Sequence, residues 1–443
     1  MPLRTFDCDV LVIGGGPAGS TAAAFLARAG RRVVLVERDR FPRFHIGESL
    51  LASTNDVLRA IGADDAVRRA GFTQKWGATF MPADGSIERY LDFGTAPGVA
   101  APQTWQVPRA AFDDLLLRHA AASGAEVRQG QRAIDAAFDA DGVTVAVHAG
   151  DEAAASYALR ARVVIDASGR GSLLGRKFDL RVEEPRLANV AVFSHYSGVP
   201  RPPGRRAGDI RIVARGDLGW FWLIPISAEL MSVGVVLPRA AFRAFAALDH
   251  EEILARAIAE TPVVAGLVAA ARREWPVRVE RDFSFGSRAY AGDRWLLAGD
   301  AGSFLDPVFS TGVAIALESG LEAAQAVEDG IARGDLSARR FRRFARRQRQ
   351  RYLSFRRFVI GFYTAEFRDL FFDEDPPERM YRALATVFAG YWRPSLLTRA
   401  WVALFLALVR LQKRIGFVPR RETGQVGQVD QVDQVGRSHI TDA

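Results

Sequence analysis

The feature that most constrains this chain is a β-branched apolar run followed at once by closely spaced glycines. Residues 9–14, DVLVIG, are short, continuous and apolar after the aspartate, the pattern of a strand buried on both faces. Gly14, Gly16 and Gly19 give G-x-G-x-x-G, a helix-like TAAAFLARAG follows, and RRVVLVE reads as a second buried strand ending on Glu37. Strand, glycine turn, helix and strand form a β-α-β unit, which calls for a parallel sheet with a right-handed crossover. The first glycine permits the tight turn, the second lets backbone approach a pyrophosphate, and the third lets helix and strand pack closely. The helix start offers unpaired N–H groups to phosphates. Glu37 is placed to accept a hydrogen bond from an adenosine ribose, which favours FAD or NAD over a 2′-phosphorylated cofactor.

Two more buried strands read the same way, ARVVIDASG at 161–169 and RWLLAGD at 294–300, the latter ahead of a long helix from about Thr311. With 443 residues, two or three packed units are expected. The dinucleotide domain is then discontinuous, over 1–75, 107–184 and 286–330. Segments 76–106 and 185–285 form a sheet-rich substrate domain, where MSVGVVL at 231–237 alternates as a strand should. From 331 to 420 the pattern is helical, with Phe341, Phe344, Tyr352, Phe355, Val359 and Phe362 at helical spacing. The helix at 395–416 is too short and too punctuated by arginine to span a membrane. The tail, 421–443, carries a QV-x repeat and is expected to be disordered.

The single cysteine, Cys8, excludes an internal disulfide framework and a cysteine metal site. The histidines show no ligand spacing, so no metal is expected. No signal peptide is read, and a reducing cytoplasm fits. The net charge of +8 comes with no nucleic-acid motif, and much of it lies in one helical stretch: Arg339, Arg340, Arg342, Arg343, Arg346, Arg347 and Arg349. That stretch is open to two readings, a solvated face or a dock for an acidic carrier protein. Of 59 basic residues only Lys75, Lys177 and Lys413 are lysines, so each is notable where arginine is otherwise preferred.

The segments GGGPAGS, ERDRFPRFHIGESL, WQVPRAAFDDLLLRHA, DASGR and LLAGDAGSFLDP resemble the large family of FAD-dependent aromatic hydroxylases, geranylgeranyl reductases and halogenases. The resemblance implies an α/β chain: a Rossmann-like FAD-binding domain with an inserted β-sheet substrate domain and a C-terminal helical region. It places Arg43, Gly47, Glu48 and Ser49 along the flavin, Arg109 against the cofactor, and Asp300 on the ribityl chain. A carboxylate suits a polyol, and arginine suits a phosphate or flavin carbonyl. Asp300 could also be a helix cap, and Arg109 a surface ion pair.

Three segments resemble the flavin-dependent halogenases in particular. Trp220-Phe221-Trp222-Leu223-Ile224-Pro225 matches W-x-W-x-I-P; two tryptophans at i, i+2 share one strand face, as a wall between flavin and substrate or simply as core. Phe72-Thr73-Gln74-Lys75-Trp76-Gly77 matches the segment that bears the catalytic lysine; the other reading of Lys75 is a surface lysine that packs its stem and keeps its amine in water. A lysine in a dry passage is costly unless paired or deprotonated, and arginine cannot replace it because it does not deprotonate. Asp306-Pro307-Val308-Phe309-Ser310-Thr311-Gly312-Val313 matches D-P-x-F-S-[ST]-G-V, which the resemblance makes a cofactor-side turn with halide at the backbone of Thr311 and Gly312. Departures are Ala314 after G-V, Ala52 where proline is common, and no clear carboxylate partner for Lys75; they disfavour free tryptophan as substrate.

The expectation is an enzyme of secondary metabolism, such as antibiotic biosynthesis. Reduced FAD from a separate flavin reductase, O2 and chloride or bromide would yield hypohalous acid, and Lys75 would deliver halogen to a phenol or pyrrole-type ring, free or tethered to an acyl or peptidyl carrier protein. No nucleic-acid partner and no stable membrane insertion are expected. The alternative is an FAD-dependent hydroxylase or other flavin oxidoreductase of the same superfamily.

Overall fold

The computed structural model describes residues 6–150 and 156–420; the tail at 421–443 lies outside the described residues. In the first of two eight-stranded sheets, Cys8–Ile13 lies parallel to Val33–Glu37 on one side and to Ser156–Asp166 on the other. Neighbours on both edges and cover on both faces explain the uninterrupted apolar run. The helix Pro17–Arg28 makes the crossover, with Pro17 at its first turn, where no donor is needed. Trp295–Leu297 extends the sheet beside Ser156–Asp166, also parallel. The strand read at 161–169 is the parallel end of a longer one, whose first half pairs antiparallel with Val143–Ala149. It stops at Asp166, because the chain then turns toward the cavity described below.

In the second sheet the order is Arg181–Ser197, Leu230–Pro238, Trp220–Pro225, Ile210–Ala214, Gly77–Pro82 and Arg89–Asp92. Arg278–Ser287 pairs along Arg181–Ser197. One face packs against helices His250–Ala259 and Pro262–Val268. The other carries Phe193, Trp220 and Trp222 and packs against the C-terminal helices. Gly234 stands opposite Trp222, where a Cβ would come within 2.3 Å of the indole. The strand therefore keeps a glycine to seat the ring.

The C-terminal helices are Ala338–Phe362, Ala365–Phe371, Glu378–Phe388 and Leu396–Ile415. The aromatic and apolar residues picked out by spacing on the first of them, Phe341 to Phe362, are all buried. Phe309, from the turn ahead of Thr311, stacks on Phe388 at 4.3 Å, and Phe80 of the second sheet packs edge-on against Phe371 at 5.1 Å, so these helices share a core with the sheet. Among the described residues no helix is long and apolar enough to cross a membrane.

Candidate active site

A cavity of about 640 Å³ runs from the carboxyl ends of the parallel strands to the inner face of the second sheet. Gly14, Gly16 and Glu37 line one end and Trp220, Trp222 and Ile224 the other. At the first end the three glycines divide their work. Gly14 has a positive φ of 102°, and a Cβ there would meet the Ala167 carbonyl at 2.3 Å. A Cβ on Gly19 would meet the Gly14 carbonyl at 1.8 Å, so this glycine lets the helix lie on the strand. At Gly16 the nearest atom would be Arg43 Nη2 at 3.7 Å, which leaves the helix start open to the cavity. Glu37 accepts from the backbone N–H of Gly15 (2.5 Å) and of Asp39 (2.8 Å) while facing the cavity.

Arg43, Gly47, Glu48, Ser49, Arg109 and Asp300 line the middle. Arg109 forms a two-point bond to Asp113 (2.8 and 2.9 Å) and donates to the Ile46 carbonyl (2.7 Å); Arg43 shares Asp113 at 3.1 Å. Burial pushes the Asp113 carboxyl up, but the Arg109 and Arg43 guanidiniums outweigh it and hold the group below the usual range. Arg109 is thus buried and paired rather than a surface ion pair. Gly47 has φ 101°, and a Cβ would come within 2.9 Å of Arg109 Nη1, so only glycine lets this loop close on the guanidinium. Burial pushes Asp300 up to about 6, against Arg170 and Arg109. It sits in the short turn Gly299–Ala301 and does not cap the long helix, which begins at Thr311. Glu48 pairs with His195 at 3.0 Å; both are buried, and Glu48 Oε2 has no partner.

At the far end the indoles of Trp220 and Trp222 lie 5.9 Å apart. Each N–H is held, that of Trp220 by the Tyr363 hydroxyl (2.7 Å) and that of Trp222 by Ser232 Oγ (3.0 Å). Pro307, Ser310, Gly312 and Val313 line the cavity beside them. Ser310 has a positive φ of 56°, which turns the chain into the helix Thr311–Ala332. A Cβ on Gly312 would meet nothing within 4 Å, so this helix start is open. Open N–H groups at a helix start attract anions.

Four of the expected site residues lie one layer back from the cavity. Gly19 packs helix on strand. Thr311 is buried, and its Oγ1 has no partner. Asp306 is fully buried and accepts from Val308 N (3.1 Å), Asn189 Nδ2 (2.7 Å) and Tyr363 Oη (2.8 Å); burial pushes it up to about 6. Lys75, 1% exposed, lies behind Ser49. Its Nζ donates to Ser49 Oγ and to the Leu50 carbonyl, both at 2.8 Å, and lies 5.4 Å from the Phe93 ring. Burial lowers its pKa to about 7, opposed by the charge of Asp209. Asp209 is otherwise engaged, accepting from Trp76 N, Gly77 N and Tyr90 Oη.

Three residues escaped the sequence reading. Asp113 had a signal, its i+4 spacing from Arg109. His195 and Tyr363 had none, since their partners are remote in the chain. The cavity fits a dinucleotide: glycines open one end to phosphates, a carboxylate lies beside each expected polyol, and Glu48 keeps an unpartnered oxygen. Among the described residues no group of three or more His, Cys, Asp or Glu is placed to hold a metal ion.

The FAD-binding-domain family matches residues 7–327. The 1H-pyrrole-2-carbonyl-[peptidyl-carrier protein] chlorinase of Pseudomonas fluorescens is 33% identical over 397 residues, 84% of this chain and 87% of that one. The structure of the myxobacterial chondrochloren halogenase CndH is 33% identical, with a TM-score of 0.74 over 94% of this chain and 98% of that one. A flavoprotein/dehydrogenase from Cytophaga hutchinsonii is 31% identical, with a TM-score of 0.82 over 91% and 99%. The chain belongs to the FAD-binding-domain family and, within it, to the flavin-dependent halogenases.

Proposed function

We propose that the protein halogenates an electron-rich ring of the phenol or pyrrole type, borne by an acyl or peptidyl carrier protein, with FADH2 supplied by a separate flavin reductase. The observation that carries this reading is Lys75, a dry amine whose pKa falls near neutrality and whose Nζ touches Ser49 at the cavity wall. A relative that acts on a carrier-bound pyrrole supports the substrate class.

Bound FAD, once reduced, supplies the means of turning O2 and halide into hypohalous acid. The glycine-lined helix start and Glu37 hold the dinucleotide at one end, and Asp300 and Arg109 orient it in the middle. The N–H groups at Thr311 and Gly312 draw halide to the cavity. Trp220 and Trp222 exclude water and keep the ring away from the oxidant's source. Near pH 7 a large fraction of Lys75 is neutral, and the amine holds hypohalous acid beyond Ser49. The ring carbon attacks the halogen, the halogen–oxygen bond breaks, and hydroxide leaves as water with the ring proton.

The test loads the protein with FADH2, mixes it with O2 with and without bromide or chloride, and includes a small-molecule trap for hypohalous acid. Ring substrates are a phenol, a pyrrole-2-carbonyl carrier thioester and free tryptophan. The expected result is halide-dependent trap halogenation and a halogenated phenol or pyrrole, with Lys75→Ala keeping the first and losing the second. Peroxide release indifferent to halide would overturn the reading and favour a hydroxylase.

A further inference from the structure

The two tryptophans of the wall are held in different ways. Trp222 is fixed within its own sheet, by Ser232 on the adjacent strand. Trp220 is fixed from outside it. Its indole N–H donates to Tyr363 Oη, and the Tyr363 hydroxyl donates to Asp306 Oδ2. Asp306 in turn accepts from Val308 N within the turn that leads to Thr311 and Gly312. Asn189 donates to the same carboxylate oxygen as Tyr363. One phenol therefore bridges the wall and the halide turn, 143 and 57 residues away in the chain.

Tyr363 is rigidly mounted. It ends the helix Ala338–Phe362, and Thr364 caps the next helix, Ala365–Phe371, by accepting from Phe367 N. A Cβ on Gly361 would come within 2.7 Å of the Phe367 ring, so the two helices meet tightly. From the second helix, buried Arg368 donates to the carbonyls of Arg215 (2.6 Å), Leu218 (2.8 Å) and Gly219 (3.2 Å), the residues that lead into Trp220. The C-terminal helices thus grip Trp220 at its side chain and at its backbone approach.

We infer that Tyr363 is a positioning residue that holds the Trp220 wall and the Asp306–Gly312 turn in register, so that halide capture and containment of the oxidant fail together when its hydroxyl is removed. The inference rests on the halogenase reading. Tyr363→Phe keeps the ring and deletes the hydroxyl, leaving the Trp220 N–H without its acceptor and Asp306 with one donor fewer. A bridging hydroxyl of this kind is worth up to about tenfold in affinity.

The first measurement is bromide affinity, read from the bromide-dependent rise in melting temperature of the oxidised FAD holoenzyme, which requires no turnover. The second is the share of oxidant lost as free hypohalous acid or peroxide per halogenated ring. Tyr363→Phe is expected to weaken bromide by about two- to tenfold and to raise the lost share. Trp220→Phe, which deletes the wall's donor together with part of its ring and leaves Tyr363 bound to Asp306, is expected to raise the lost share with bromide affinity close to wild type. The double variant should leak no more than the worse single one. A Tyr363→Phe protein with wild-type bromide affinity or with an unchanged lost share would overturn the inference, whatever its melting temperature. If that variant does not fold, a Trp220→Phe protein that leaks no more than wild type overturns it instead. Indifference of the wild-type protein to bromide would sink the halogenase reading itself.

Discussion

Lys75 carries a cost that the chemistry proposed for it would require. Burial lowers its ammonium from 10.5 to about 7. Between those values the unfolded chain binds a proton that the folded chain does not. Stability therefore rises with pH across that window, and the destabilisation is fully present below about pH 7. Lys75→Met removes the charge but leaves Ser49 and Leu50 without their donor. The stability of the variant relative to the parent, from urea melts, is expected to be most favourable near pH 6–7 and to decline by on the order of a few kcal/mol toward pH 10. A difference that does not change with pH would mean an ordinary lysine. Asp300 makes a separate prediction. Asp300→Ala should weaken FAD binding about 10- to 100-fold, followed by flavin fluorescence during titration of the apoprotein; undiminished affinity would remove Asp300 from the cofactor site. At this scale residue types were legible from motifs, whereas layers were not. The sequence offered Lys75, Asp306 and Thr311 as site residues, and the fold sets them behind the cavity surface.

Elements are set by apolar period and by a few glycines that other strands and helices make obligatory. Gly234 and Gly312 differ sharply in this respect. A methyl at 234 would meet the Trp222 ring at 2.3 Å and Phe193 Cβ at 2.5 Å, whereas one at 312 meets nothing. Gly234→Ala should cost about 1–3 kcal/mol by overpacking and displace the indole, visible as a lower melting temperature and greater loss of oxidant. Gly312→Ala should keep the melting temperature and change halide affinity alone. Equal melting temperatures for the two would mean that the strand beside Trp222 gives way. Helical spacing foretold the buried face of Ala338–Phe362 correctly, because an amphipathic stripe is a local property. It did not foretell that the last turn delivers Tyr363 to Trp220.

At the scale of the molecule the arginine-rich region divides in two. Arg351 is buried and pairs with Glu318 and Glu322, and Arg347 also reaches Glu322, so part of the run fastens one helix to another. The outer part is different. The helices Ala338–Phe362 and Leu396–Ile415 contain no acidic residue. Arg357 is held below the usual arginine range by burial and by the nearby charges of Arg399 and Arg410. Such crowding favours an anionic partner. If an acidic carrier docks here, Arg399→Glu with Arg410→Glu should raise KM for the carrier-bound ring about tenfold or more, with KM for a free phenol unchanged. Wild-type KM for the carrier should also rise with salt. Equal effects on both substrates would place the carrier elsewhere.

The sequence by itself determined the parallel β-α-β core, the dinucleotide ends of the cavity and the three segments that mark a halogenase. Each is a short-range pattern: buried runs, glycines at fixed spacing, a tryptophan pair on one strand face. Tertiary structure alone decided that Glu48 meets His195, that Lys75 stands behind Ser49 without a carboxylate in contact, and that Tyr363 joins Trp220 to Asp306. These are contacts between residues remote in the chain, and a hydrogen bond depends on positions that only the packed fold defines.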